Sequence, residues 1–196
     1  MQYYRMRKVI LASASPWRKK MLASTGIPFQ VEESGYRENM KLKLAPRVLA
    51  RRLALGKAKK VAARHRDVVV IGADTFVVFR GKPIGKPITP KRAVEVLLML
   101  SGKRHTLLTG FAIVDSKTGR SFSKTVATHV TLRKLSKEEI ERYVKTGEPL
   151  NAAGAYVIQG GGAQLMEKTE GDVNNVAGLP LADVVAGLKK FGLQGK

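Results

Sequence analysis

The chain has 196 residues, 44% of them hydrophobic, and contains no cysteine. Without cysteine it can form neither a disulfide nor a thiolate metal site, and it has no cysteine nucleophile. Its 36 Lys and Arg against 15 Asp and Glu give a net charge of +21, which predicts attraction to a nucleic acid or to a small phosphorylated substrate. The basic residues are dispersed and only 6% of residues are aromatic, so binding of nucleic acid stays possible but is not favoured.

Length and composition predict one domain, residues 1–196, that is soluble and cytoplasmic. The longest apolar run, Val94 to Leu100, is interrupted by Glu95 and is far too short to cross a bilayer, so we expect no membrane partner. Met1 to Arg5 lack the apolar segment of a signal peptide.

The first predicted strand, Lys8 to Ala12, leads directly into a helix. Ser15 is a natural N-cap and Pro16 suits the first helical position. With Arg18 in the first turn, free backbone N–H groups, hydroxyls and cations lie together, an arrangement that binds phosphate. Ser-Pro also starts many helices without a ligand, and Trp17 is either a packing residue or a base-stacking one, so both interpretations stay open.

A long helix is predicted from Pro46 to about His65, after a short edge strand at Ile27 to Val31. Lys57 lies within its apolar stripe, where an ammonium group is costly unless it meets an anion or reaches solvent. Lys57 is therefore a candidate phosphate ligand. The stripe consists of Ala50, Leu53, Ala54, Ala58, Val61 and Ala62.

The run from Val68 to Thr75 predicts a strand buried on both faces, at the centre of a sheet flanked by helices. Asp74 is expected at its carboxyl end, where open α/β sheets leave a crevice for ligands, although an Asp there can also simply turn the chain. Gly81 to Pro87 then returns Lys86 toward the same edge. This segment is not a nucleotide P-loop, because the glycine spacing is one residue short and Pro87 replaces the required Ser or Thr.

The remaining elements predict a mixed α/β sheet. A helix begins at Thr89 and Pro90 and ends at Gly102. Two long strands, Thr106 to Asp115 and Ser121 to Leu132, form a hairpin, and a capping box at Ser136 opens a helix that closes at Gly147.

The last third is rich in glycine, which lets the backbone approach a ligand closely or simply makes the loops flexible. Gln159 offers both a donor and an acceptor for reading a base edge. The three histidines, His65, His105 and His129, lack the spacing of a metal site and are interpreted as packing or surface residues.

The chain resembles the Maf family in several short motifs that run in order from about Lys8 to Leu188. They are Leu11–Lys19, Gly72–Thr75, Gly85–Pro87, Leu100–Gly102, Gly147–Leu150, Ala153–Gly160 and Val176–Leu181. The resemblance implies a nucleoside triphosphate pyrophosphatase that cuts between the α- and β-phosphates. It also implies an elongated, twisted mixed sheet in two lobes around a cleft, related to that of inosine triphosphatases. A divalent cation (Mg²⁺, Mn²⁺ or Co²⁺) and a homodimer are expected too.

The same resemblance implies the site residues. Asp74 matches the family's proton acceptor, and Glu38 is expected to assist it in holding the metal. Lys57 and Lys86 complete the catalytic set, while Ser13 and Arg18 are expected to clamp the triphosphate. From the residues alone, a basic nucleic-acid-binding module without catalysis is the alternative; a Nudix hydrolase is disfavoured because its glutamate-rich helix is missing.

Base specificity is implied by Trp17, Thr75 and Gln159. Family members that act on dTTP and UTP carry Thr and Gln at the last two positions but Arg at the first. Members that act on 7-methyl-GTP resemble this chain at Trp17 only. Two of three positions favour pyrimidine nucleotides, so dTTP or UTP, or a modified pyrimidine nucleotide, is the predicted substrate and 7-methyl-GTP the alternative.

Overall fold

The computed structural model describes residues 7–193. Residues 1–6, which include the stretch predicted not to be a signal peptide, and residues 194–196 lie outside the described part. The strands are β1 (Lys8–Ala12), β2 (Gln30–Val31), β3 (Val68–Phe79), β4 (Lys82–Ile84), β5 (Arg104–Asp115), β6 (Ser121–Leu132) and β7 (Met166–Glu170). The α-helices are α1 (Pro16–Ala23), α2 (Pro46–Ala62), α3 (Pro90–Leu100), α4 (Lys137–Lys145), α5 (Val173–Val176) and α6 (Leu181–Lys189).

The seven strands form one mixed sheet in the order β2-β1-β3-β5-β6-β7, with β4 beside β3. β1 runs parallel to both β2 and β3, whereas β4, β5, β6 and β7 pair antiparallel with their neighbours. The hairpin prediction and the mixed-sheet prediction are therefore confirmed.

Helices cover both faces of the sheet. On β3, Val70 packs with α2, whereas its neighbours in the chain, Val69 and Ile71, pack with α1 and α6. Further along the same strand Val77 packs with α3 and α4. Because α1 with α6 and α3 with α4 form separate clusters on one face, they leave a cleft between them, which confirms the expected two lobes.

The structure corrects one prediction about the central strand. Asp74 does not lie at the end of β3; the strand continues from Thr75 to Phe79 without a break. The reason is that β5 pairs with β3 from Val69 to Val78, so the Gly-Ala-Asp step stays hydrogen-bonded.

Other boundaries differ by a few residues. Helix α2 ends at Ala62 rather than at His65, and the predicted edge strand narrows to Gln30 and Val31. Strands β4 and β7 were not predicted, because both are short edge strands with largely exposed side chains and no apolar alternation. Within residues 7–193, no helix combines the length and the apolar character that crossing a membrane requires.

Candidate active site

A cleft opens where β3 lacks a neighbour along one edge. β1 pairs with β3 only as far as Gly72, and β4 begins to pair at Val77. Residues 73–76 therefore have no partner on that edge among the described strands, while β5 pairs with the other edge. The crevice thus lies at the carboxyl end of β1, beside the middle of β3. It encloses about 550 Å³, a size that suits a small-molecule ligand.

At the floor of the cleft one ammonium group joins two carboxylates. Lys57 Nζ lies 2.5 Å from Asp74 Oδ1 and 2.6 Å from Glu38 Oε1, and it also donates to the carbonyl oxygen of Ala73 at 3.4 Å. The predicted burial of Lys57 on the sheet side of α2 is confirmed. In this structure its donors are engaged by protein groups, so its contact with phosphate stays a prediction.

Glycine residues bring α2 close enough for this arrangement. A Cβ at Gly72 would overlap the backbone of α2 at Ala54 and Ala58, and a Cβ at Gly110 on β5 would overlap that helix at Ala50. Because both positions are glycine, α2 packs directly on the two central strands. Lys57 is therefore within reach of Asp74.

The loop before α2 carries Glu38 to the same point. The ring of Tyr36 packs against Gly56, where a Cβ would overlap it. Lys60 donates to the Gly35 carbonyl, and Arg64 donates to the Ser34 carbonyl at 3.0 Å. The loop is thus fixed along α2, and Glu38, whose side chain is 45% exposed, faces the cleft.

Asp74 lies beneath Lys57 and is only 5% exposed, so it is more enclosed than a carboxylate at an open strand end would be. Burial raises the pKa of Asp74, and the negative Glu38 acts in the same direction, whereas the cations of Lys57 and Arg18 oppose the rise. A raised pKa makes the carboxylate a stronger base, which suits proton acceptance near neutral pH.

Arg18 joins three separate segments. Its Nε donates to the Gly178 carbonyl at 2.8 Å, and its two terminal nitrogens donate to Thr75 Oγ1 at 3.0 Å and Ser13 Oγ at 3.3 Å. Ser15 caps α1 as predicted, with its side chain accepting from the Arg18 amide. Since a guanidinium has five N–H donors, two remain for a ligand among the described contacts.

A buried polar network behind Thr75 was not predicted. Thr75 Oγ1 lies 2.9 Å from Thr109 Oγ1, which donates to the Asn175 carbonyl, and Asn175 Nδ2 donates to Thr128 Oγ1 at 3.1 Å. Thr109, Thr128 and Asn175 are fully buried. Nothing in the sequence brings these positions together, because their contacts depend on the register of three strands. Thr75 is thereby tied to Arg18 and to the sheet.

The other predicted binding residues line the same cleft. Trp17 is half-buried near the start of α1, whereas Lys86 and Gln159 are exposed in the segments before α3 and after α4. All of the predicted site residues except Asp74 contribute to the lining; Asp74 is reached through Lys57.

The three histidines lie apart from this site. His105 is buried and hydrogen-bonded to the hydroxyl of Tyr156, which confirms it as a packing residue. His65 contacts Glu32, and His129 contacts Thr106.

The carboxylates of Asp74 and Glu38 supply oxygen atoms of the kind that hard divalent cations prefer as ligands. Asp74 and Glu38 share one cationic neighbour, Lys57, so both carboxylates face the same point. Mg²⁺ is commonly held by one or two carboxylates together with substrate phosphates. Within residues 7–193 no group of three or more His, Cys, Asp or Glu side chains forms a metal site. A cation held by these two carboxylates would complete its shell with substrate and water.

The chain is similar to several known proteins. The dTTP/UTP pyrophosphatase of Moorella thermoacetica is 47% identical over 188 residues, 96% of this chain and 97% of that protein. The enzymes of the same name from Geobacter sulfurreducens and Methanosarcina mazei are 44% and 41% identical, and the matches cover at least 94% of both chains. A crystal structure of a nucleoside-triphosphatase / dITP/XTP pyrophosphatase from Mycobacterium abscessus is 12% identical, covering 65% of this chain and 75% of that one, with a TM-score of 0.42. A family model described as Maf-like protein matches residues 8–191, and the chain therefore belongs to the Maf family.

Proposed function

We propose that the protein hydrolyses nucleoside triphosphates between the α- and β-phosphates, with dTTP and UTP as preferred substrates. One observation carries this proposal: Lys57 lines a cleft whose wall is the cationic start of α1, and a buried carboxylate, Asp74, is paired with it directly behind that lining. Relatives that are 40–47% identical to this chain are named dTTP/UTP pyrophosphatases, which supports the same activity here.

The triphosphate would bind at the start of α1. Ser13 Oγ accepts hydrogen bonds from the Ser15 amide and from Arg18, so its own O–H is available to donate to a phosphate oxygen. Arg18, with its remaining N–H groups, and the exposed Lys86 both line the cleft. Cations and a helix N-terminus at one place stabilise the charge that develops on phosphate oxygens during cleavage.

The carboxylate of Asp74 would take the proton from the attacking water. The water oxygen bonds to the α-phosphorus, the bond from that phosphorus to the bridging oxygen breaks, and pyrophosphate leaves with the electron pair. Lys57, which touches both carboxylates, keeps Asp74 oriented and neutralises part of the site's negative charge.

We further propose that Asp74 and Glu38 hold a divalent cation, Mg²⁺, Mn²⁺ or Co²⁺, alongside the substrate. When bound, the cation would neutralise charge on the phosphate oxygens. The neighbouring carboxylates support this proposal, since they supply the hard oxygen ligands such ions prefer.

The base would bind beside Gln159 and Trp17, which both line the cleft. Gln159 can both donate to and accept from a pyrimidine edge, and Trp17 offers an apolar face for stacking. Thr75 acts indirectly, because its hydroxyl is bonded to Arg18 and Thr109. We also propose a homodimer in the cytoplasm, as the family resemblance implies and the lack of cysteine permits.

The test is pyrophosphate release from dTTP, UTP, CTP, GTP, ATP and 7-methyl-GTP with each of the three metals. Asp74→Asn should still bind nucleotide while its turnover falls about a hundred- to ten-thousand-fold. Asp183→Asn, which removes only a surface ion pair with Lys124, is the matched control and should keep wild-type turnover.

Two outcomes would contradict the proposal. An Asp74→Asn variant that is as fast as the wild type would remove Asp74 from the chemistry. Tight, salt-sensitive binding of nucleic acid without pyrophosphate release would favour the basic binding module instead.

A further inference from the structure

Glu148 is a carboxylate that the proposed reaction does not use. Its Oε1 accepts from the Tyr143 hydroxyl at 2.5 Å and from the Gly162 amide at 3.2 Å, and its Oε2 accepts from the Gly161 amide at 3.1 Å. In a chain with 36 basic residues, no Lys, Arg or His nitrogen lies within 4.0 Å of this carboxylate among the described residues. Glu148 is thus engaged by hydrogen-bond donors of one turn and one phenol.

The phenol of Tyr143 extends the same arrangement. Its oxygen also accepts from the Val157 amide at 3.0 Å, and the residue is only 8% exposed. The turn from 157 to 162 is therefore held at its start by Tyr143 and at its end by Glu148. Gln159 lies between these two attachment points and lines the cleft.

The glycines of this turn explain why the carboxylate can approach so closely. A Cβ at Gly160 would overlap the carboxylate of Glu148, and a Cβ at Gly162 would overlap the hydroxyl of Tyr143. The close approach that the glycine-rich sequence predicts is therefore made, at these positions, to the protein's own side chains.

The loop that carries Lys86 is attached by different bonds. The Ile88 amide donates to the Leu150 carbonyl at 2.9 Å, and the Gly154 amide donates to the Gly85 carbonyl at 3.3 Å. Both bonds use backbone groups only. A change confined to the Glu148 side chain leaves them in place, so it should move Gln159 without moving Lys86.

We propose that Glu148 and Tyr143 are positioning residues that hold Gln159 in the orientation that reads the base, and so determine affinity and base preference rather than the rate of cleavage. This inference rests on the proposed function, in which Gln159 faces the base.

The test compares Glu148→Gln, Tyr143→Phe and Gln159→Ala by kcat and KM for UTP and GTP. Glu148→Gln and Tyr143→Phe should each raise KM for UTP about tenfold, the usual effect of losing a charge-assisted hydrogen bond, while kcat stays within about twofold. In both variants the preference for UTP over GTP, measured as the ratio of the two kcat/KM values, should fall to the ratio found for Gln159→Ala. Adding Glu148→Gln to Gln159→Ala should cost almost nothing more, because both changes remove the same interaction.

Amide hydrogen exchange provides a readout that does not depend on activity. Exchange at Gly161 and Gly162 should accelerate in Glu148→Gln, whereas the control Glu141→Gln, on the exposed face of α4, should change neither exchange nor KM. The proposal that Glu148 positions Gln159 would be overturned if Glu148→Gln left KM and base preference unchanged, or if it lowered kcat without changing KM. If wild-type protein released no pyrophosphate from any nucleotide, the proposed function itself would fail, which distinguishes the two outcomes.

Discussion

Replacing Lys57 with methionine tests the ion pair at the floor of the cleft. The change removes the ammonium that lies 2.5 Å from Asp74 and 2.6 Å from Glu38 but keeps an unbranched side chain in the apolar stripe of α2. Removing one partner of a buried ion pair costs about 3–5 kcal/mol, because the remaining charge is left uncompensated. Glu38 is 45% exposed and partly solvated, so we expect a loss of about 3 kcal/mol, at the lower end of that range.

The pH dependence gives this prediction its sign. Burial already raises the pKa of Asp74, and losing Lys57 removes a cation that opposes the rise. Protonation of Asp74 in the variant therefore occurs at higher pH than in the wild type and neutralises the uncompensated charge. The difference in unfolding free energy between variant and wild type should be largest at alkaline pH and should shrink as the pH falls.

Urea unfolding of both proteins at several pH values measures this difference. Lys59→Met is the matched control, since Lys59 is exposed on the same helix and has no ion pair within residues 7–193; its effect should stay within about 0.5 kcal/mol. Added Mg²⁺ should stabilise Lys57→Met more than wild type if the two carboxylates accept a cation. A deficit under about 1 kcal/mol, or one that does not vary with pH, would refute the reasoning.

Two further predictions concern the sheet. Gly72→Ala places a Cβ inside the backbone of α2, so it should lower the free energy of unfolding in urea by about 3 kcal/mol and also lower turnover. Gly85→Ala, whose Cβ meets open space, is the control and should be nearly neutral. Equal effects of the two variants would contradict the packing argument. Burial lowers the pKa of His105 from 6.5 to about 4, so its contribution to stability is complete above pH 6.5 and is lost as the pH falls toward 4. Over that window the wild type should therefore lose about 3 kcal/mol of unfolding free energy that His105→Gln does not lose. Parallel curves of unfolding free energy against pH for the two proteins would disprove the prediction.

Local sequence signals, such as helix caps and runs of apolar residues, predicted most of the helices and the central strands. Ser15 and Ser136 cap their helices as the sequence predicts, and the capping box is complete. Such signals act over three or four residues, so they survive whatever the rest of the chain does. The predicted end of β3 was wrong because the strand's continuation depends on β5, whose residues pair with it from 28 (Val78 with Thr106) to 34 (Thr75 with Thr109) positions further along the chain.

In the candidate site too, local sequence signals identified some residues, whereas contacts between distant segments could not be predicted. Lys57 was identified because an ammonium within an apolar helical stripe is costly, a conclusion that needs only the 3.6-residue period. Asp74 was a candidate because it follows a buried strand, but its catalytic role and the choice of Glu38 came from the family resemblance, since no periodicity relates a strand, a loop and a helix. Thr109 and Asn175 went unnoticed because a buried Thr or Asn has no sequence signature apart from its partners.

The edge of β3 explains why the site forms where it does. Between Gly72 and Val77 the strand has lost β1 and has not yet met β4, yet β5 keeps it extended on the other side. A rigid strand with a free edge presents backbone carbonyls and alternate side chains to a ligand without the mobility of a loop. Asp74 and Thr75 occupy that free edge and point to opposite faces, one toward Lys57 and the other toward Arg18. The acid and the cationic helix start are therefore held in register by a single strand, so a shift of β3 against β5 should disrupt both at once.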